Sequence, residues 1–200
     1  WKLCTCNRLG VPNTDSPASI GDYQGHGADP FAYLAGCNMA FRRDALLAVD
    51  GFNSQMTWGY DDVDICCRVI DAGYRIAFED AAYVRHDRAP SAARDGQQVL
   101  RDPYPFIFAR AVFALQCSPS PYSRSDIETA IEASIRDWRY FADQHLENGI
   151  MSEEEHGRYL QRSRDAIRDG LKAGSAERPD ANLRKAPIGS FRPYRPRITK

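Results

Sequence analysis

Trp58-Gly-Tyr-Asp-Asp-Val-Asp-Ile-Cys-Cys-Arg68 sets two adjacent carboxylates, Asp61 and Asp62, between an aromatic, glycine-containing loop and an amphipathic run. Val63, Cys66, Cys67 and Ile70 recur at i, i+3, i+4 and i+7, the spacing of one packed helical face, so a helix is expected to start near Asp61. Gly73 stands where a C′ glycine would end it. Acids at a helix start are favoured by the helix dipole and need no function. On rigid backbone beside a cleft the same acids suit a general base, and the dipole favours their ionised form. Asp62-Val63-Asp64 spells Asp-x-Asp, but residues i and i+2 lie about 200° apart around a helix and do not clamp one ion. Asp64 precedes Arg68 by four residues, so an ion pair on the helix flank is the simpler assignment.

Outward from this stretch, residues 31–35 and 38–42 read as short strands on either side of Gly36-Cys37. Asp44 is expected to cap a short helix, Ala45 to Val49, that Gly51 ends. Tyr74 to Phe78 alternates as a strand, and Ala82 to Val84 reads as another leading to His86. Residues 7–30, rich in Gly, Pro, Asn, Asp and Ser, read as a long polar loop with His26 exposed on it. From Pro103 the texture changes. Phe106 to Leu115 is apolar almost all round and too short to span a bilayer, which favours a buried helix over a membrane-surface contact. Two longer helices follow, with capping boxes at Ser125/Glu128 and Ser152/Glu155, and Asn148-Gly149 between them predicts an antiparallel hairpin.

The chain has 200 residues, 43% of them hydrophobic and 11% aromatic, enough to bury a core. A formal net charge of −1 makes no case for nucleic-acid binding. Six cysteines, two of them adjacent at Cys66-Cys67, do not form a disulfide framework, and Cys4-x-Cys6 lacks zinc-ribbon spacing. Reduced, buried thiols in a cytoplasmic protein are expected. Residues 175–200 carry seven Lys/Arg against two acids and are Pro-rich, so a disordered basic tail is expected, solvated or resting on anionic lipid. The chain opens on Trp1 with no Met before Met39, as expected of a segment of a longer protein.

Gly36-Cys-Asn-Met-Ala-Phe-Arg-Arg43, the short helix with Asp50-Gly-Phe52, Trp58 to Arg68, Gly73-Tyr-Arg-Ile76 and Tyr83-Val-Arg-His86 occur in the order of a known family. Over roughly residues 31–90 the chain resembles the C-terminal, acceptor-side half of a family 2 glycosyltransferase of the GT-A type. The resemblance implies inverting transfer of a sugar from a nucleoside diphosphate donor to a carbohydrate acceptor. It implies Asp62 as the base and Asp61, Trp58, Tyr60, Gly36 and Asn38 as substrate contacts. It further implies His86 as a ligand of a divalent metal, Mn²⁺ or Mg²⁺. Two departures stand out: Asp50 where the family usually has a second Gly, and Asp61 in place of a more common Glu. The nucleotide-binding half with its own Asp-x-Asp is not found in residues 1–30.

The expected class is therefore α/β: a GT-A-like acceptor-side portion over residues 1–100, a helical appendage over 101–174 and the basic tail over 175–200. Without a nucleotide-binding half the isolated chain is expected to be inactive. A non-catalytic carbohydrate-binding or assembly module derived from the acceptor subdomain is the alternative. A cytoplasmic location, with peripheral contact at the inner membrane face, is the corresponding expectation. Donor sugar, linkage and oligomeric state are not legible.

Overall fold

The computed structural model describes residues 4–13, 20–79, 81–86, 90–117 and 120–179. Most of the expected basic tail, residues 180–200, lies outside the described residues. The architecture is mixed α/β. A three-stranded antiparallel sheet has the order β2-β1-β3, with β1 at Cys4–Cys6, β2 at Pro12–Asn13 and β3 at Phe31–Tyr33. Cys6 pairs with Pro12 on one side and Phe31 on the other. The turn between β1 and β2 is built by Asn7, whose Oδ1 accepts the N–H groups of Leu9 and Val11. Such side-chain closure of a turn is a general use of Asn.

Five helices follow: α1 (Arg43–Ala48), α2 (Asp61–Asp71), α3 (Tyr104–Gln116), α4 (Arg124–Glu147) and α5 (Glu153–Gly174). Helix α2 forms as the apolar spacing requires, and buries Val63, Ile65, Cys66, Cys67, Val69 and Ile70 against Cys6, Phe31 and Phe113. Each of its fully buried aliphatic side chains contributes about 1.5–3 kcal/mol. Gly73, at φ +88°, closes the helix with its N–H on the Ile70 carbonyl (2.9 Å). Arg68 Nε donates to Asp64 Oδ2 at 2.9 Å, the expected i,i+4 pair, but Asp64 is buried rather than on an exposed flank. Arg68 Nη1 also holds the Val49 carbonyl at the end of α1 (2.7 Å).

Several expected local features take a different form. Only residues 31–33 of the 31–35 segment pair as a strand, and Gly36–Asn38 is a single 3₁₀ turn with unpaired extended chain after it. Residues 74–78 and 82–84 join no ladder among the described residues. Of the alternating residues Ile76 is buried, with its N–H taken by the Gln24 side-chain oxygen instead of a neighbouring strand, whereas Tyr74 is half-buried and Phe78 is exposed. Helix α1 starts at Arg43, so Asp44 lies in its first turn and is not the N-cap. The first capping box is Ser123/Asp126, two residues ahead of the expected pair, and Glu128 instead meets Arg124 at 2.7 Å. The Ser152/Glu155 box forms as expected.

Helix α3 is apolar all round because both sides are covered. Ala109, Val112 and Phe113 pack with the sheet and α2, whereas Ala111 and Ala114 pack with Ile127 and Ile131 of α4. Helix α5 comes closest to α3 where it carries glycine: a Cβ at Gly170 would stand 2.8 Å from Ala111 Cβ and 2.9 Å from the Phe108 carbonyl. No helix among the described residues is long and apolar enough to cross a membrane.

The long loop before β3 is tied to α2 by an interaction that no local pattern announces. Arg8 is fully buried, and its two terminal nitrogens reach the two carboxylate oxygens of Asp71 at 2.9 and 2.7 Å. Asp71 Oδ1 also accepts the Gly27 N–H (2.8 Å), and His26 Nδ1 lies 2.9 Å from the Asp71 carbonyl.

Candidate active site

The two acids owe their position to an unusual backbone. Gly59 and Tyr60 are both left-handed, at φ +87° and +61°, and the chain reverses through them directly into α2. Glycine is required at 59 twice over, since a Cβ there would also sit 2.7 Å from Phe106 Cδ1. A left-handed conformation costs a non-glycine residue about 1–2 kcal/mol. Tyr60 offsets that cost through its anchoring: its hydroxyl donates to the Gly10 carbonyl at 2.7 Å and its ring stacks on Phe113, 6.0 Å between centroids. Burial pushes its phenol pKa up to about 12, so it remains a donor. Tyr60, expected among the acceptor contacts, is instead fastened into the core. It acts on the site by aiming the first turn of α2.

That first turn opens onto a cleft of about 640 Å³. Trp58, Asp61, Asp62, Gly36 and His86, all singled out in the sequence, line it together. Asp62 Oδ2 accepts the Gly36 N–H at 2.9 Å and Oδ1 accepts the Val63 N–H at 2.8 Å. Burial pushes the Asp62 pKa above the usual carboxylate range, the Gly36 and Val63 amides pull it back, and the Asp61 charge adds to the rise. The helix start alone suggested a plainly acidic group; desolvation by the cleft wall reverses that sign. The Gly36 contribution is its backbone N–H, because a Cβ there would meet Asp62 only at ordinary contact distance, 3.5 Å.

Asn38 is not part of this cleft. Its Nδ2 donates to the Ala82 carbonyl (2.9 Å), and it faces a separate groove of about 320 Å³ with Met39, Phe78 and Tyr83. Trp58 both packs and lines: its ring lies 4.3 Å from that of Phe106, which in turn lies 5.5 Å from Trp138 on α4. His86 is exposed at the cleft. Among the described residues no three His, Cys, Asp or Glu side chains are grouped to hold a metal ion.

Sequence reasoning missed Tyr33, Cys37, Ser91, Arg94 and Phe106, which complete the lining. Phe106 opens a run that is apolar almost all round and so marks no particular face, and Arg94 sits in an irregular stretch with no periodicity. The Arg94 guanidinium lies over Trp58 (5.5 Å to the ring centroid) and Phe106 (6.0 Å).

Residues 20–88 match the family described as the N-terminal domain of galactosyltransferase, a span that contains the α1–α2 region and every expected site residue. A glycosyltransferase-like domain lies within these residues. The chain is also similar to a pre-mycofactocin glycosyltransferase of Mycobacterium tuberculosis, at 39% identity over 56 residues in strains CDC 1551 / Oshkosh and ATCC 25618 / H37Rv alike. That similarity covers 28% of this chain and 12% of the relative. No solved structure matches significantly. The matched residues include Asp61, Asp62, Trp58, Gly36 and His86 of the cleft, whereas Ser91, Arg94 and Phe106 lie beyond them.

Proposed function

We propose that the Asp62 cleft is the acceptor site of an inverting glycosyltransferase of the GT-A type. The observation that carries the reading is one carboxylate held by two backbone amides, desolvated, and facing a sugar-sized cleft beside Trp58 and Asp61. In the proposed reaction an acceptor hydroxyl approaches Asp62, which takes its proton. The freed oxygen forms a bond to the anomeric carbon of the donor sugar from the face opposite the leaving group. The bond from that carbon to the phosphate oxygen breaks, and the electron pair leaves with the nucleoside diphosphate. A raised carboxyl pKa makes the ionised form a better proton acceptor. Asp61 is placed to accept hydrogen bonds from neighbouring hydroxyls, and the Trp58 and Phe106 rings supply the apolar wall. Donor binding belongs to a nucleotide-binding half in this reading, so the 200-residue chain supplies the acceptor side. A divalent metal would neutralise charge on the donor phosphates; His86 would be a ligand from this chain, and no step above depends on it.

The test is Asp62→Asn in the longest version of the protein that turns over. Transfer to a saccharide acceptor is expected to fall by about 10²–10⁴-fold, with the far-ultraviolet spectrum and melting temperature retained. Turnover within a few-fold of the parent would reject Asp62 as the base.

A further inference from the structure

We infer that Arg94 reads a negatively charged group on the acceptor, so that the saccharide taken by this cleft is an acidic one. The inference rests on the acceptor-site reading above and adds a substrate class to it. Arg94 is half-buried in the cleft wall, and its guanidinium carbon lies over two aromatic rings, 5.5 Å from the Trp58 centroid and 6.0 Å from that of Phe106. Ring faces accept no hydrogen bonds of carboxylate strength, so the guanidinium's fork of N–H donors is left for a carboxylate or phosphate. Among the described residues no carboxylate or carbonyl oxygen takes a hydrogen bond from that fork, in contrast to the other cations nearby. Arg101, seven residues on, is held by Asp95 (2.7 Å) and the Ile150 carbonyl (2.8 Å), and Arg110 by the Leu9 carbonyl (3.1 Å).

The segment that carries Arg94 is nonetheless fixed. Ser91 and Arg94 close a turn on each other through main-chain hydrogen bonds of 2.8 and 3.3 Å, and Ala93 beside them is buried with its carbonyl holding the Arg101 N–H (2.8 Å). A half-buried cation with no counter-ion, held on ordered backbone, carries a desolvation cost that a ligand anion would relieve. Asp61 and Asp62 line the same cleft and repel any anion. A negative ligand therefore needs a cation on the wall where it lies, and that wall is Trp58. Placement against Trp58 assigns the anion to the saccharide stacked there, in preference to the departing diphosphate.

The experiment is calorimetric titration of the 200-residue chain at low salt with a glucuronic acid-terminated disaccharide, its neutral glucose-terminated counterpart, and inorganic pyrophosphate. The acidic disaccharide is expected to bind about tenfold or more tightly than the neutral one, as a charge-assisted bidentate contact implies. Arg94→Gln is expected to remove that preference, with Arg94→Lys retaining part of it. Equal affinity of the parent chain for both disaccharides would overturn the inference and leave the carbohydrate cleft standing, without recourse to any variant. Arg94-dependent pyrophosphate binding with no acid preference would overturn it in favour of a donor-phosphate role. Failure of both disaccharides to bind would remove the acceptor-site reading and this inference with it.

Discussion

Replacing Asp71 by Asn isolates the contact that holds the loop before β3 against α2. Arg8 has no solvent exposure and Asp71 has 11%. Both carboxylate oxygens are engaged by Arg8, and one of them also takes the Gly27 N–H. Asparagine keeps the shape, but leaves a buried guanidinium without its charge partner and turns an NH₂ group toward it. Breaking a buried pair in this way costs about 3–5 kcal/mol. At about 2–4 °C per kcal/mol for chains of 150–250 residues, the melting temperature is expected to fall by roughly 6–20 °C. Urea unfolding followed by circular dichroism gives the free energy directly. The loss is expected to persist in 0.5 M salt, since a buried pair is little screened. Adding Arg8→Met to Asp71→Asn is expected to recover much of the loss, because the stranded charge is then gone. A loss below about 1 kcal/mol, the range of exposed pairs, would refute the claim that this contact organises the loop.

Three further outcomes follow from the geometry. Gly59→Ala imposes a left-handed alanine and a Cβ 2.7 Å from Phe106, so a loss of about 2–4 kcal/mol is expected in urea unfolding, together with loss of saccharide binding at the displaced acids. Gly170→Ala is expected to destabilise by about 1–3 kcal/mol despite the better helix propensity of alanine, because the added methyl meets Ala111 and the Phe108 main chain; a gain in melting temperature would contradict the close α3–α5 approach. The raised Asp62 pKa fixes two signs. Activity that needs its ionised form is expected to fall on acidification through a pKa above the ordinary aspartate value of about 3.9. Because the folded state holds this proton more tightly than the unfolded chain, the corresponding stability is present below the unfolded value and lost as pH rises through the folded one. Asp62→Asn, which does not ionise and keeps one of the two backbone hydrogen bonds, is accordingly expected to gain in melting temperature relative to the parent as pH rises through the folded value, and a relative loss over that interval would contradict the desolvated placement.

Local pattern carried α2 well, since apolar spacing, acids at the start and Gly73 at the end are all short-range facts about one helix. It carried the helices α4 and α5 and the break between them at Asn148-Gly149 for the same reason, with an error of two residues in the first cap because Ser123 and Ser125 are equally plausible N-caps and only the path of the incoming chain chooses between them. It failed for residues 74–78, where alternation marked Ile76 as buried but told neither that Phe78 is exposed nor what receives the backbone hydrogen bonds. The site divides in the same way. Asp61, Asp62 and Trp58 are neighbours in sequence and had to be near one another. Tyr60 lies among them and still turns away, because its left-handed backbone sends the ring toward Phe113 and the hydroxyl toward Gly10.

The order of residues alone thus determined a helix at Asp61 with two acids at its head, and a helical second half. What tertiary structure decided is everything that depends on distant segments meeting. Gly36 brings an amide to Asp62, Phe106 and Arg94 close the wall around Trp58, and Asp71 neutralises Arg8. The physical reason is one of range. Periodicity and capping act within a few residues, whereas desolvation and the pairing of charges depend on which surfaces are pressed together, and those surfaces come from parts of the chain far apart in sequence.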